Sequence, residues 1–115
     1  ADFTGAAAGA GASAAGGAIT IGGALSNGGI TVNLATGDDL DDAVTKLNAD
    51  ANVKAAGLTA TNDAGKLRIV SDRISAGGAG ELSVQTSNAD TATVVGVANG
   101  AAEASTFSNA TGASK

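Results

Sequence analysis

"GGITVNLATGDDLDDAVTKLNADANVKAAGLTATNDAGKLRIVSD", running from Gly28 to Asp72, is the stretch that decides the fold. Its first apolar residues alternate with polar ones. Ile30-Thr31-Val32-Asn33-Leu34 has the period of two expected of a half-buried strand. The period then changes. Leu40, Ala43, Val44 and Leu47 stand at i, i+3, i+4 and i+7, which predicts one apolar stripe on a helix from about Asp39 to Asp50, ending before "NVKAAG". Asp38 is the expected N-cap, and Asp39, Asp41 and Asp42 lie where the helix dipole favours negative charge. Asp42 and Lys46 have the i,i+4 spacing of a surface ion pair. Beyond the helix, Leu58-Thr59-Ala60-Thr61 and Leu67-Arg68-Ile69-Val70-Ser71 read as two strands. The loop "NDAGK" joins them and carries a glycine suited to a left-handed turn position, so a hairpin is predicted.

Working outward, Ile19-Thr20-Ile21 alternates in the same way and is separated from Ile30 by "SNGG", whose Asn and Gly tolerate positive φ. A first hairpin follows, with Ile19, Ile21, Ile30, Val32 and Leu34 facing one side. "GGAG" at 77–80 breaks the chain; Leu82-Ser83-Val84-Gln85 reads as a short strand, and Val94, Val95 and Val97 as a further strand or docked edge. The expected fold class is α+β: a small, mainly antiparallel sheet covered by one amphipathic helix, organised as a β-β-α-β-β unit plus extra strands.

The 115 residues suit one domain. Leu, Ile, Val and Phe number 22, few enough to raise the question of disorder, but all twenty Leu, Ile and Val lie between Ile19 and Val97. The expected organisation is therefore a globular core over 19–97 between two arms. The first arm, 1–18, is Ala/Gly-rich. Its "GAGASAAGGA" has a silk-like composition but never recurs, so an irregular arm is expected. The second, 98–115, is rich in Ala, Ser and Thr, and each arm holds a single phenylalanine, Phe3 or Phe107. The first residues, "ADFTGAAAG", lack the basic start of a signal peptide and read as the beginning of a processed or excised piece.

Composition excludes whole classes of chemistry. With no His and no Cys, the usual zinc, haem and iron–sulfur ligand sets, thiol nucleophiles and imidazole bases are gone. Six basic residues against eleven acidic ones, net charge −5, give no footprint for nucleic acid or an anionic membrane. The acidic run Asp38, Asp39, Asp41, Asp42 lacks the central Gly and terminal Glu of an EF-hand loop, so it reads as dipole partners and solvated surface. The glycines of "GAGASA" follow no predicted strand and open no predicted helix, which leaves a dinucleotide fingerprint without its context. Glu81, Glu103, Asp63, Asp72 and Asp90 lie among loop residues with nothing to mark an acid–base pair. No enzymatic activity and no cofactor are expected. Asn109-Ala110-Thr111 fits an N-glycosylation triplet, and the abundant Ser and Thr offer hydroxyls for O-linked glycans.

The pattern "ITVNLATGDDLDDAVTKLNAD…VKAAGLTATNDAGKLRIVSD" resembles the flagellin IN motif, a repeat of the variable central regions of bacterial flagellins and of hook-associated proteins. Leu40, Ala43, Leu47 and Asn48 match its helix; Leu58-Thr59-Ala60 matches its next strand; Gly65, Leu67, Ile69 and Ser71 match its last. The match covers about residues 19–72, with a longer link around Val53 than the pattern usually has. The resemblance implies an outer domain of a flagellar filament protein, extracellular, structural and antigenic, with neighbouring flagellin subunits as partners and no polymerisation helices of its own. The isolated domain would be a monomer. An insertion between an outgoing and a returning helix needs its ends close together, so the arms near Phe3 and Phe107 are expected to meet. A hook-associated or filament-cap protein is the alternative within this class. An adhesin or pilin-like binding module is the alternative outside it, disfavoured by the want of Trp and Tyr for sugar stacking or anchoring.

Overall fold

A computed structural model describes residues 1–106. Its elements in chain order are β1 (Asp2–Thr4), β2 (Gly17–Gly22), a 3-10 turn (Ala24–Ser26), β3 (Ile30–Leu34), α1 (Leu40–Ala49), α2 (Ala51–Ala55), β4 (Leu58–Asp63), β5 (Lys66–Ser71), β6 (Ser83–Thr86), α3 (Ala89–Val95) and β7 (Glu103–Ala104). The α+β class read from the sequence holds, and all named strand pairings are antiparallel. The two expected hairpins are present. In the first, Ile19 is opposite Val32 and Ile21 opposite Ile30, so the alternation puts all four side chains, with Leu34, on one buried face. In the second, Ala60 is opposite Ile69 and Thr61 opposite Arg68.

Instead of one sheet there are two, ordered β1-β5-β4 and β3-β2-β6-β7. They are joined where the chain beyond β7 reaches β1: the Thr106 amide donates to the Asp2 carbonyl at 2.8 Å, and the Asp2 amide to the Thr106 carbonyl at 3.3 Å. The strands thus form one ribbon that begins at β3 and ends at β4. Helix α1 packs against both of these end strands. Its Leu40, Ala43 and Leu47 are buried, with Phe3, Ile69, Leu67 and Val84 in the same core. The short helix α3 packs on β2, β6 and α1 and buries Val94 and Val95.

One side chain on α1 bonds directly to the backbone of the ribbon. Half-buried Asn48 donates from Nδ2 to the Ala60 carbonyl at 2.9 Å and accepts the Ala60 amide on Oδ1 at 2.8 Å. Ala60 lies on β4, an end strand whose only named partner is β5, so both its backbone groups would otherwise be open to another chain. A carboxamide carries one donor and one acceptor side by side and so mimics the missing strand.

Several expectations need correcting. The first arm is not irregular at its start: β1 pairs with β5, and Phe3 is fully buried. Three residues, Asp2-Phe3-Thr4, are too few to show a period, and the Ala/Gly run that follows hides them. The N-cap is Asp39 rather than Asp38, in a capping box where Asp42 accepts the Asp39 amide in return. Asp42 is thereby occupied, and Lys46 pairs with Asp38 instead. The link "NVKAA", expected to be non-helical, forms α2, because Asp50 accepts the Asn52 and Val53 amides and restarts the helix. This turn takes up the long link around buried Val53. Val94 and Val95, expected on a strand, lie on α3, where Asn88 caps the start and Gly96 at φ 74° ends it. The described part of the second arm holds β7 and Thr106; Phe107, Asn109 and the rest of the arm lie outside the described residues.

The β4–β5 turn places Ala64 at φ 52° before Gly65 at φ 89°. Both central positions are left-handed, which a type I′ hairpin turn requires and alanine resists. Replacing Ala64 by Asn should therefore raise stability by about 0.5–1 kcal/mol in urea unfolding; an unchanged or lowered midpoint would contradict the strain. Replacing Asn48 by Ala should cost about 1–3 kcal/mol, because two edge groups lose their partner at once. A loss under about 0.5 kcal/mol would mean that water serves Ala60 as well.

Candidate functional site

The first place to look is the acidic start of α1, where the sequence concentrates four carboxylates. Each has a different employment. Asp39 accepts the Asp42 amide at 2.9 Å, and Asp42 accepts the Asp39 amide at 3.1 Å. Asp38 accepts the Ala35 amide at 2.8 Å and the Lys46 ammonium. These bonds, the one from Lys46 foremost, hold the Asp38 carboxyl below its ordinary value. Asp41 accepts the Asn62 carboxamide at 2.8 Å, which joins the helix start to the far end of β4. Among the described residues no group of three or more His, Cys, Asp or Glu side chains is placed to hold a metal ion.

Beside this helix start is a cleft of about 500 Å³, lined by Gly9, Ala10, Gly11 and Ala12 on one wall and by Asp39, Leu40, Asp41, Asn62 and Gly65 on the other. The glycine run that invited comparison with a phosphate loop is here, and its geometry is that of packing. The Gly9 amide donates to the Gly65 carbonyl at 2.8 Å and the Ala10 amide to the Thr93 carbonyl at 2.9 Å. A Cβ on Gly9 would sit 2.2 Å from the Val94 carbonyl oxygen, so glycine lets the arm lie directly on α3. Two amides that a phosphate would use are committed, and the facing side chains Asp39 and Asp41 are anionic.

The remaining acidic residues hold the arms. Asp90, in the first turn of α3, accepts the Ser13 hydroxyl at 2.7 Å and the Ala14 and Ala15 amides at 3.1 and 3.3 Å. The Glu103 carboxylate takes the Ala6 amide on one oxygen at 2.8 Å and the Ala98 amide on the other at 2.7 Å. Asp2 receives a bidentate fork from Arg68, at 3.0 and 2.6 Å, which raises the guanidinium's affinity for its proton. Glu81 accepts the Ser75 hydroxyl at 2.9 Å. Asp63 ends β4 at 4.0 Å from Arg68, and Asp72 lies against Gly57. The candidates weighed from sequence are thus dispersed over separate segments, and most of them accept a backbone or side-chain donor there. Sequence reading missed Asn48, Asp90 and Glu103 as organising residues. Only Asn48 left a trace, as the last residue of the helix motif.

A second cleft, about 410 Å³, is lined by Asn27, Lys54, Ala55, Ala56, Gly57, Asp72 and Arg73. Arg73 spans it, donating to the Leu25 carbonyl at 3.2 Å and the Ala56 carbonyl at 3.4 Å, and so ties the 3-10 turn to the end of α2. Against known proteins, the chain matches no family model, no curated protein and no solved structure.

The Asp90 latch gives a pH dependence with a definite sign. Bonds from the Ala14 amide first, then from Ser13 and Ala15, lower its carboxyl below the ordinary 3.8. A folded-state value below the unfolded one contributes stability above the unfolded value, and that contribution disappears as pH falls through the folded one. Asp90→Asn should therefore be less stable than the parent near neutrality, with the gap narrowing in the acid range. Urea midpoints measured from about pH 7 to about pH 2 check this; a gap of constant size would contradict it.

Proposed function

We propose that this chain is a surface-exposed outer domain of a bacterial flagellar filament protein, a flagellin, and that it works structurally, by forming filament surface and displaying antigenic loops outside the cell. The observation that carries the proposal is the bond pair between Asn48 and Ala60. In the motif that the sequence resembles, an asparagine closes the helix and an apolar–x–Ala strand follows. Here those two halves are one mechanical unit, the helix end clamped onto the strand. That gives a physical reason for the pattern to carry both, and it supports reading the likeness as more than a common helix signature.

Two further features support the same reading. The bridge between Asp2 and Thr106 brings the two arms side by side, as a domain inserted between an outgoing and a returning helix requires. Asp2, Asp41, Asp90 and Glu103 are occupied in joining segments, which suits a display surface better than a reaction centre. On this proposal the partners are neighbouring flagellin subunits, exposed Ser and Thr are open to glycans, and the excised domain is a monomer in solution.

Antibodies raised against the purified domain, applied to intact cells of the source bacterium and viewed by immunogold electron microscopy, test this. Labelling along the whole length of the filaments is the expected result. Label confined to the hook junction or filament tip would transfer the domain to a hook-associated or cap protein, and label on the cell body or pili would overturn the flagellar assignment.

A further inference from the structure

Asn-Gly occurs twice in the chain, at Asn27-Gly28 and Asn99-Gly100. Glycine after asparagine removes the Cβ that would obstruct attack of the following amide on the carboxamide, so both are chemically competent for deamidation. The fold treats them differently. Asn27, Gly28 and Gly29 are exposed at the crown of the turn between β2 and β3. Ser26 staples the base of that turn, its Oγ donating to the Gly23 carbonyl at 2.7 Å and accepting the Gly29 amide at 2.9 Å. Among the described residues neither the Asn27 carboxamide nor the Gly28 amide has a hydrogen-bond partner. A Cβ at Gly28, Gly29 or Gly100 would meet nothing within 4 Å and both asparagines are exposed, so both sites have room to react, and it is their surroundings that separate them.

The charges differ as well. Asn27 lines the second cleft together with Lys54 and Arg73, two cations against the single carboxylate of Asp72. Asn99 instead follows a pinned segment: it bridges Thr86, and the Ala98 carbonyl and amide are taken by the Thr86 amide at 3.0 Å and by the Glu103 carboxylate at 2.7 Å. The Glu103 carboxylate, bonded to the residue before Asn99, sets a negative charge beside that segment.

We propose that Asn27 is a spontaneous modification site, where deamidation turns a neutral turn into an anionic one facing Lys54 and Arg73. The Gly28 amide nitrogen, losing its proton, attacks Asn27 Cγ; the new N–Cγ bond closes a five-membered succinimide as the Cγ–Nδ2 bond breaks and ammonia leaves with that proton. Water then opens the ring. Cleavage at Cγ gives aspartate, and cleavage at the main-chain carbonyl gives isoaspartate, each releasing one proton from the new carboxylic acid. The attacking nitrogen and the tetrahedral adduct both carry developing negative charge, which the two neighbouring cations stabilise and which Glu103 disfavours at Asn99. The product carboxylate faces the same cations, so the aspartate form joins the β2–β3 turn to the end of α2 by charge.

The test is incubation of the folded chain at mildly alkaline pH in heavy-oxygen water, followed by peptide mapping with mass spectrometry. Label at Asn27 and at Asn99 gives the two rates, and a parallel sample in denaturant gives their intrinsic ratio. The expected result is similar rates in denaturant and, in the folded chain, Asn27 reacting roughly fivefold or more faster than Asn99. Lys54→Gln, which leaves the Arg73 bonds intact, should slow Asn27 by about twofold to fivefold at low salt, with the effect fading as salt is added. Equal folded-state rates, a faster Asn99, or a Lys54→Gln rate at Asn27 equal to the parent's would each overturn the proposal.

Discussion

A ribbon of strands with two ends must do something with the outer edge of each end strand. At the β4 end of this ribbon, the answer at Ala60 is a single carboxamide. Asn48 reads the amide and carbonyl of Ala60 as a neighbouring strand would. Because Asn48 is the penultimate residue of α1, the bond pair also sets where the helix lies along β4. The rest of the packing follows from that placement. Leu40, Ala43 and Leu47 are buried in one core with Phe3, Leu67 and Ile69. Arg73 then fastens the far end of the helical segment, through Ala56 and Leu25, to the turn that precedes β3.

The chain makes up for its lack of proline and cysteine in a consistent way. Stretches without large side chains cannot be held by hydrophobic burial, so they are held by carboxylates. Asp90 gathers residues 13–15, and Glu103 gathers Ala6 and Ala98. An ionised carboxylate accepting backbone amides makes a stronger bond than a neutral acceptor does. Small residues contribute by omission, since glycine at position 9 lets the arm lie against α3 without a clash. The acidic composition thus has an internal purpose in addition to any effect on solubility.

Much of this was legible beforehand, and the limits are instructive. The two hairpins and α1 announce themselves because each has one buried face, and a buried face imposes a period on the sequence. Short elements show too little of one. That is why β1, three residues long, passes for part of a featureless arm, and why α3 reads as a strand or docked edge: "ATVV" has the β-branched residues of a strand, and the asparagine cap and terminal glycine that make it helical lie outside the apolar run. Asp39 and Asp38 are equally good caps on paper, and the capping box with Asp42 decides between them. The candidate chemistry was legible as scattered residues. Their actual use, in tying segments distant in sequence, depends on which loops meet, which no local pattern encodes.

The Ala60 amide, although it faces away from β5, is bonded to Asn48 and covered by α1, so it opens when α1 leaves the strand. Native-state hydrogen exchange followed residue by residue measures this directly. The result predicted is an Ala60 amide as strongly protected as the central amides of α1, the two losing protection together as denaturant is raised. An Ala60 amide that exchanges freely while α1 stays protected would contradict it, and with it the claim that Asn48 clamps the helix to β4.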